Sequence, residues 1–163
     1  MEMFSSPSLS LDGTSTFIVS DGSVIFKENS SLVTARGTAL DIHGLLRLTD
    51  RVCFGVDGVA FIISGRVLLD SDSCFSLKKS TLDVSGDLKT SQNHKLTVMD
   101  SNIKISRGSV LFSGTSASST TLLRSNLTLE SGGTFTVAER TSFAISAGAV
   151  TVKAGTADRK SVV

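Results

Sequence analysis

The chain has no tryptophan, no tyrosine, one proline, two cysteines and two histidines in 163 residues. Each shortage excludes something. Trp and Tyr combine a broad apolar face with a polar handle, and sugar platforms and interface anchors draw on them. Their absence argues against a carbohydrate-binding groove; the nine Phe supply apolar bulk only. Charged residues make up 19% of the chain, the formal net charge is +1, and no basic cluster exceeds Lys78-Lys79. Neither nucleic acid nor an anionic membrane is therefore an expected partner. No apolar run approaches the roughly 18 residues that a membrane span needs. The opening Met-Glu-Met-Phe-Ser-Ser-Pro has neither the basic start nor the apolar stretch of a secretory signal. The expectation is a cytosolic chain or a piece of a longer one.

What is present is apolar, small and β-branched. Hydrophobic residues reach 40%, enough for one domain with a real core. Abundant Ser, Thr and Gly with many β-branched residues favour strands and turns over helix. The stretch Phe61 to Leu77 holds three apolar-any-apolar triplets, Phe61/Ile63, Val67/Leu69 and Phe75/Leu77, with Gly65 between the first two. The layout recurs. A first column reads Phe17/Val19, Leu40/Ile42, Phe61/Ile63, Leu82/Val84, Ile103/Ile105 and Leu127/Leu129, in steps of 23, 21, 21, 21 and 24 residues. A glycine follows each: Gly22, Gly44, Gly65, Gly86, Gly108 and Gly132. A second column runs from Val24/Phe26 to Phe135/Val137. A third runs through Leu32/Thr34, Phe54/Val56, Phe75/Leu77 and Leu96/Val98 to Thr121/Leu123 and Phe143/Ile145.

Alternate side chains of a strand share a face, so each triplet buries two residues. Three strands per coil enclose a triangular core, and coils stack at about 4.8 Å. One coil cannot bury its own apolar face; stacking solves that. The fold expected is all-β: a single parallel β-helix, or β-solenoid, of about six coils of 21–24 residues with three short strands each. Residues 1–14 read as a lead-in in which Leu9 and Leu11 open a strand, 15–153 as the solenoid, and 154–163 as a frayed tail. Residues 113–126 depart furthest from the period and imply a loop at the third corner. A β-sandwich also has short strands but needs no long strict period, and helical repeats fail because the apolar period is two.

The middle residue of each triplet faces solvent. The first column presents Ile18, Asp41, Ile62, Asp83, Lys104 and Thr128, and the second Ile25, Arg47, Leu68, Lys89, Leu111 and Thr136. Ile62 and Leu68, either side of Gly65, are a candidate docking patch, against the base rate of scattered exposed aliphatics. Cys53 and Cys74 occupy equivalent places on successive coils. They are either a disulfide, which needs an oxidising compartment, or two stacked free thiols. His43 and His94 belong to different corners and are expected at the surface. Asp41 and Asp83 share a column with Ile62 between them, so no carboxylate pair of the glycosidase kind is expected. Asp70 and Asp72 are ordinary turn formers and a weak calcium candidate. No Walker, GxSxG or HExxH motif occurs, so no catalytic residue, metal or cofactor is expected. Asn29-Ser30-Ser31 and Asn126-Leu127-Thr128 are glycosylation sequons near expected corners.

Gly-Ser-Val-Leu-Phe-Ser-Gly, Ser-Asn-Leu-Thr-Leu-Glu-Ser-Gly-Gly-Thr-Phe-Thr-Val and Ala-Gly-Ala-Val-Thr-Val-Lys-Ala-Gly resemble units of the pectin-lyase-like β-helix superfamily. They look most like its non-enzymatic members: autotransporter passenger domains and the dispersed-gene-family surface proteins of trypanosomatids. The resemblance covers roughly residues 15–153. It implies a structural or adhesive β-helix segment of a cell-surface or secreted protein, part of a longer chain, meeting protein or glycan partners. The alternative is a fragment of a carbohydrate-active β-helix enzyme, which requires Asp41, Asp83 and Lys104 around a groove. Uncapped coil ends add a third expectation, end-to-end self-association.

Overall fold

The computed structural model describes residues 2–3, 8–11, 15–28, 30–34, 36–115, 117–130 and 132–153. Among these, every regular element is a β-strand, and every pairing is parallel. The strands are β1 (Glu2–Met3), β2 (Ser8–Leu11), β3 (Thr16–Phe26), β4 (Ser31–Thr34), β5 (Ala39–Leu48), β6 (Cys53–Asp57) and β7 (Ala60–Ile63). They continue as β8 (Arg66–Leu69), β9 (Cys74–Lys78), β10 (Thr81–Val84), β11 (Leu88–Thr90), β12 (Lys95–Met99) and β13 (Asn102–Ile105). The last are β14 (Val110–Phe112), β15 (Ser119–Leu123), β16 (Asn126–Leu129), β17 (Phe135–Val137), β18 (Ser142–Ser146) and β19 (Ala149–Val152).

This is the expected β-solenoid of about six turns. Leu40 pairs with Phe61, Phe61 with Leu82, Leu82 with Ile103, Ile103 with Leu127 and Leu127 with Val150. One apolar file therefore runs the length of the first column. The third column is a separate seven-stranded sheet in the order β18-β15-β12-β9-β6-β4-β2. The first two columns form one sheet, because β3 and β5 run unbroken through their shared corner. Pairing also begins before residue 15: β1 pairs with β3 and β2 with β4.

Stacked Phe rings fill two parts of the bore. Phe54 lies 5.4 Å from Phe26, 5.2 Å from Phe75 and 5.8 Å from Phe61, between ring centroids. Phe112, Phe135 and Phe143 form a second cluster at 5.4–5.8 Å. Phe54, Phe75 and Phe143 share the inner wall of the third column.

The corners explain the glycines. At the first corner the backbones of successive coils touch. A Cβ on Gly65 would sit 1.9 Å from the carbonyl oxygen of Gly44, and one on Gly108 would sit 2.1 Å from that of Gly86. The next rung above Gly108 is Gly133, not the expected Gly132. At the third corner Gly58, Lys79, Asp100 and Arg124 hold left-handed φ of 70°, 48°, 50° and 48°. For the three non-glycines this conformation costs roughly 1–2 kcal/mol each. Stacking between coils offsets it: the Lys79 and Asp100 N–H groups each donate to a carbonyl of the next coil at 3.0 Å.

Two expectations need correction. The long loop lies at the second corner, between β14 and β15, because β15 already starts at Ser119. In β15 the inward pair is Thr120/Leu122, not Thr121/Leu123; Thr120 and Leu122 are 0% and 1% exposed. Adjacent Thr-Thr and Leu-Leu leave the alternation undecided locally. Pairing with Leu96 and Val98 decides it. The tail 154–163 lies outside the described residues.

Candidate functional site

The outer faces carry most of the polar side chains, and these pair with their vertical neighbours. On the first column Lys104 lies 3.8 Å from Asp83 and 3.2 Å from Glu130, and Lys153 lies 3.3 Å from Glu130. The hydrogen bond from Lys104 holds the Glu130 carboxyl below the usual carboxylate range, and Glu130 in turn raises Lys104. Asp83 also accepts from the Ser106 hydroxyl at 3.0 Å. Asp41 is 3.2 Å from His43 and is separated from Asp83 by Ile62, which pairs with both. Asp41, Asp83 and Lys104 thus form a file up one face, not the rim of a groove.

The second column repeats the habit. Arg47 reaches Asp70 at 2.9 Å, and the Ser91 hydroxyl donates to the other Asp70 oxygen at 2.6 Å. Asp87 accepts from the Ser109 backbone N–H at 2.9 Å and lies 2.9 Å from Lys89; both hold its carboxyl low, the N–H most. At the third corner Arg124 grips Asp100 through two nitrogens, at 2.6 and 2.9 Å. Asp70 is thereby committed to a cation and a hydroxyl. No cluster of three or more His, Cys, Asp and Glu suited to a metal occurs among the described residues.

Of the residues singled out from sequence, Ile62 is 48% exposed, and Leu68 is half-buried. Each is bracketed in its column by charges: Ile62 by Asp41 and Asp83, Leu68 by Arg47 and Lys89. Asn126 opens β16 at the surface, and its side-chain amide donates to Asn102 at 3.1 Å. Asn29 lies outside the described residues. Cys53 and Cys74 are joined as a disulfide, with Cα atoms 4.5 Å apart on paired positions of β6 and β9.

Beside that disulfide lies a feature the sequence pattern did not announce. On the outer face of the third column Val33, Gly55 and Ser76 pair in a row. Gly55 leaves a gap between them, and no heavy atom lies within 4 Å of where its Cβ would be. The result is a shallow, mainly apolar depression of about 460 Å³. The disulfide bounds one end and the Asp57–Lys78 pair, 3.7 Å apart, the other. Val33 is 60% exposed beside it. Glycine is not needed there for backbone reasons. In a strand interior it often marks a close approach by another molecule.

Two buried polar features also escaped the sequence reading. The first is a ladder of Ser80, Ser101 and Ser125 inside the third corner. The Val59 N–H donates to Ser80 Oγ, the Ser80 N–H to Ser101 Oγ and the Ser101 N–H to Ser125 Oγ, at 3.0–3.1 Å. Each hydroxyl donates back to the carbonyl two residues before it, at 2.6–2.7 Å. The signal was there in Ser recurring at the coil period, but Ser is too common in this chain to stand out.

The second is His94, and it is a correction. Expected at the surface, it is fully buried, with Nε2 3.2 Å from the Thr120 hydroxyl. The polar run Ser91-Gln92-Asn93 reads as a turn, yet position 94 stacks over Ser73 and below Ser118 at the inner edge of the second corner. Burial pushes its imidazole pKa below the ordinary value.

Comparison of the chain with protein-family models, with curated proteins and with solved structures finds no match. Chemically, the described surface offers ladders of satisfied charges, a disulfide and one apolar depression. Such an arrangement can bear load between coils and receive a partner's side chain.

Proposed function

We propose that the chain is a non-catalytic structural or adhesive β-helix segment of a cell-surface or secreted protein, built like the non-enzymatic members of the pectin-lyase-like superfamily. One observation carries the reading. Asp70, Asp83, Asp87, Asp100 and Glu130 are each paired to a cation of the same or a neighbouring coil: Asp70 to Arg47, Asp83 and Glu130 to Lys104, Asp87 to Lys89 and Asp100 to Arg124. A hydrolase or lyase needs carboxylates that converge on a substrate bond. Here the charges brace the rod.

Two features support an oxidising, extracellular setting: the Cys53–Cys74 bridge and the Asn126 sequon at an exposed strand start. The partner this reading favours is a protein or glycan at a cell surface, with the Gly55 depression and Ile62 as contact points. The test is twofold. The purified protein is incubated with pectin-like polymers and assayed for released ends, and it is applied to cells and glycan arrays. Binding without product is expected. Sustained product release that is lost in Asp83→Asn overturns the reading in favour of a carbohydrate-active enzyme.

A further inference from the structure

We infer that the Cys53–Cys74 disulfide is a thiol-exchange site, at which a cysteine of a partner protein displaces Cys74 and becomes linked to Cys53, with its aliphatic neighbour seated in the Gly55 depression. The inference goes beyond the surface-protein reading and does not depend on it. A bridge inert to thiols would leave that reading standing.

The first observation is where the sulfurs lie. Both cysteines stand at outward positions of their strands: Cys53 is exposed and Cys74 half-buried, while the next residues, Phe54 and Phe75, fill the bore. The bridge is therefore no part of the core. It joins strands that the backbone already holds together, since the Cys74 N–H donates to the Val52 carbonyl at 2.7 Å. Exposed disulfides are more readily reduced than buried ones, and the regulatory and catalytic bridges are drawn from them. Cys53 carries the sulfur that an incoming group meets first.

The second observation is the charge behind Cys74. On the outer face of the third column one row runs Ser31, Cys53, Cys74 and Lys95, each paired with the next. Lys95 is exposed, and among the described residues no carboxylate forms an ion pair with it. Coils are about 4.8 Å apart, so Cys74 is its direct neighbour and Cys53 lies a coil further away. A nearby cation stabilises a thiolate, and the more stable thiolate leaves faster. Access and charge agree on one polarity: attack at Cys53 and departure of Cys74.

The third observation identifies the occupant. The depression begins at the bridge, its surface is mainly apolar, and Gly55 leaves the room in it. An occupant that uses both features carries a thiol with an aliphatic side chain beside it, as a cysteine in a protein segment does. The step balances. The partner's thiolate attacks Cys53 Sγ, and a new S–S bond forms as the Cys53–Cys74 bond breaks. The electron pair stays on Cys74 Sγ, which takes up the proton that the partner's thiol lost. The partner's sulfur is oxidised, that of Cys74 is reduced, and no further reductant is needed. Cys74 can attack Cys53 Sγ in turn and release the partner, so the tether is reversible.

Intact-mass spectrometry and non-reducing peptide mapping of the native protein, quenched in acid at early times, test this. The probes are two peptides of equal thiol chemistry, acetyl-Cys-Leu-amide and acetyl-Cys-Ser-amide. Both are expected to give a mixed disulfide on Cys53, the leucine peptide about tenfold faster, the return on burying one aliphatic side chain. Gly55→Gln, which fills the depression with a polar side chain, is expected to remove that preference and leave the rate of the serine peptide unchanged. Should that variant fail to fold, Val33→Ser strips an apolar wall from the same depression and is expected to lower the preference too. Lys95→Gln is expected to slow both peptides alike, by a few-fold. The proposal is overturned if the bridge exchanges only in urea, if the link maps to Cys74, or if the two peptides react with wild type at equal rates. It is also overturned if the preference survives in both depression variants, or if Lys95→Gln leaves both rates unchanged.

Discussion

The third coil and the last coil have the same local sequence pattern and different fates. Phe75 and Leu77 on β9 are wholly buried, whereas Phe143 is half-buried and Ile145 is 41% exposed on β18. Cys-Phe-Ser-Leu and Ser-Phe-Ala-Ile are interchangeable as triplets. The difference is the neighbour: β9 lies between β6 and β12, and among the described residues β18 pairs with β15 alone. In this fold burial belongs to the stack, not to the coil. That is why stability should be graded along the rod.

The sharpest way to break the comparison is to truncate the same ring in both places. Phe75→Ala is expected to cost about 3–5 kcal/mol in urea melts, the usual cost of emptying a buried Phe site. Phe143→Ala should cost about 1–2 kcal/mol, in line with partial burial. Equal losses would contradict the account.

Two glycines give the next test, and opposite signs. Gly65→Ala drives a methyl into the Gly44 carbonyl, 1.9 Å from the ideal Cβ position. About 3 kcal/mol of destabilisation is expected, toward the top of the overpacking range. Gly55→Ala meets nothing within 4 Å. It should stabilise by about 0.5 kcal/mol through the unfolded state, while weakening any partner that uses the depression. A melt showing both substitutions destabilising alike would remove the distinction between a required glycine and an open one.

His94 sharpens the comparison through pH. Its imidazole has a pKa pushed below 6.5 by burial, so the fold prefers the neutral ring. The unfolded chain then takes up a proton first as pH falls. Stability is full above about pH 6.5 and declines below it, toward the depressed folded value. Chemical denaturation between pH 7.5 and about 5 is expected to show this decline in wild type and a smaller one in His94→Gln. His43 is half-exposed and common to both. An identical pH slope in the two proteins would show that His94 is not the sensor.

The smallest effect belongs to the surface. Arg124→Ala removes a two-pronged contact to Asp100. Both groups are solvent-exposed, so the thermal midpoint should hardly move, and what shift there is should vanish in high salt. A large drop would mean that the third-corner charges hold the coils together more than the bore does.

Much of the architecture was legible. Apolar-any-apolar triplets at a long, regular step can be satisfied by strands stacked in parallel files, and Phe54 over Phe75 follows from their separation of one coil. Residues were misplaced where the local pattern was degenerate. Thr120-Thr121 and Leu122-Leu123 offer two alternations of equal quality, and only the β12 partner chooses. Gly132 and Gly133 pose the same ambiguity at the first corner. His94 was hidden by a polar run that looks like a turn, although the stack closes over its ring. The Gly55 depression was invisible for another reason. A glycine that the backbone requires and one that leaves room for something else are the same letter, and they differ only in what lies around the missing Cβ.

The central claim is that cover from both neighbouring coils sets local stability. Hydrogen–deuterium exchange, resolved by strand, tests it most directly in dilute solution. The account predicts slow exchange across β9 and β12 and exchange faster by orders of magnitude across β18 and β19. Uniform protection from β9 to β19 in dilute solution would contradict it.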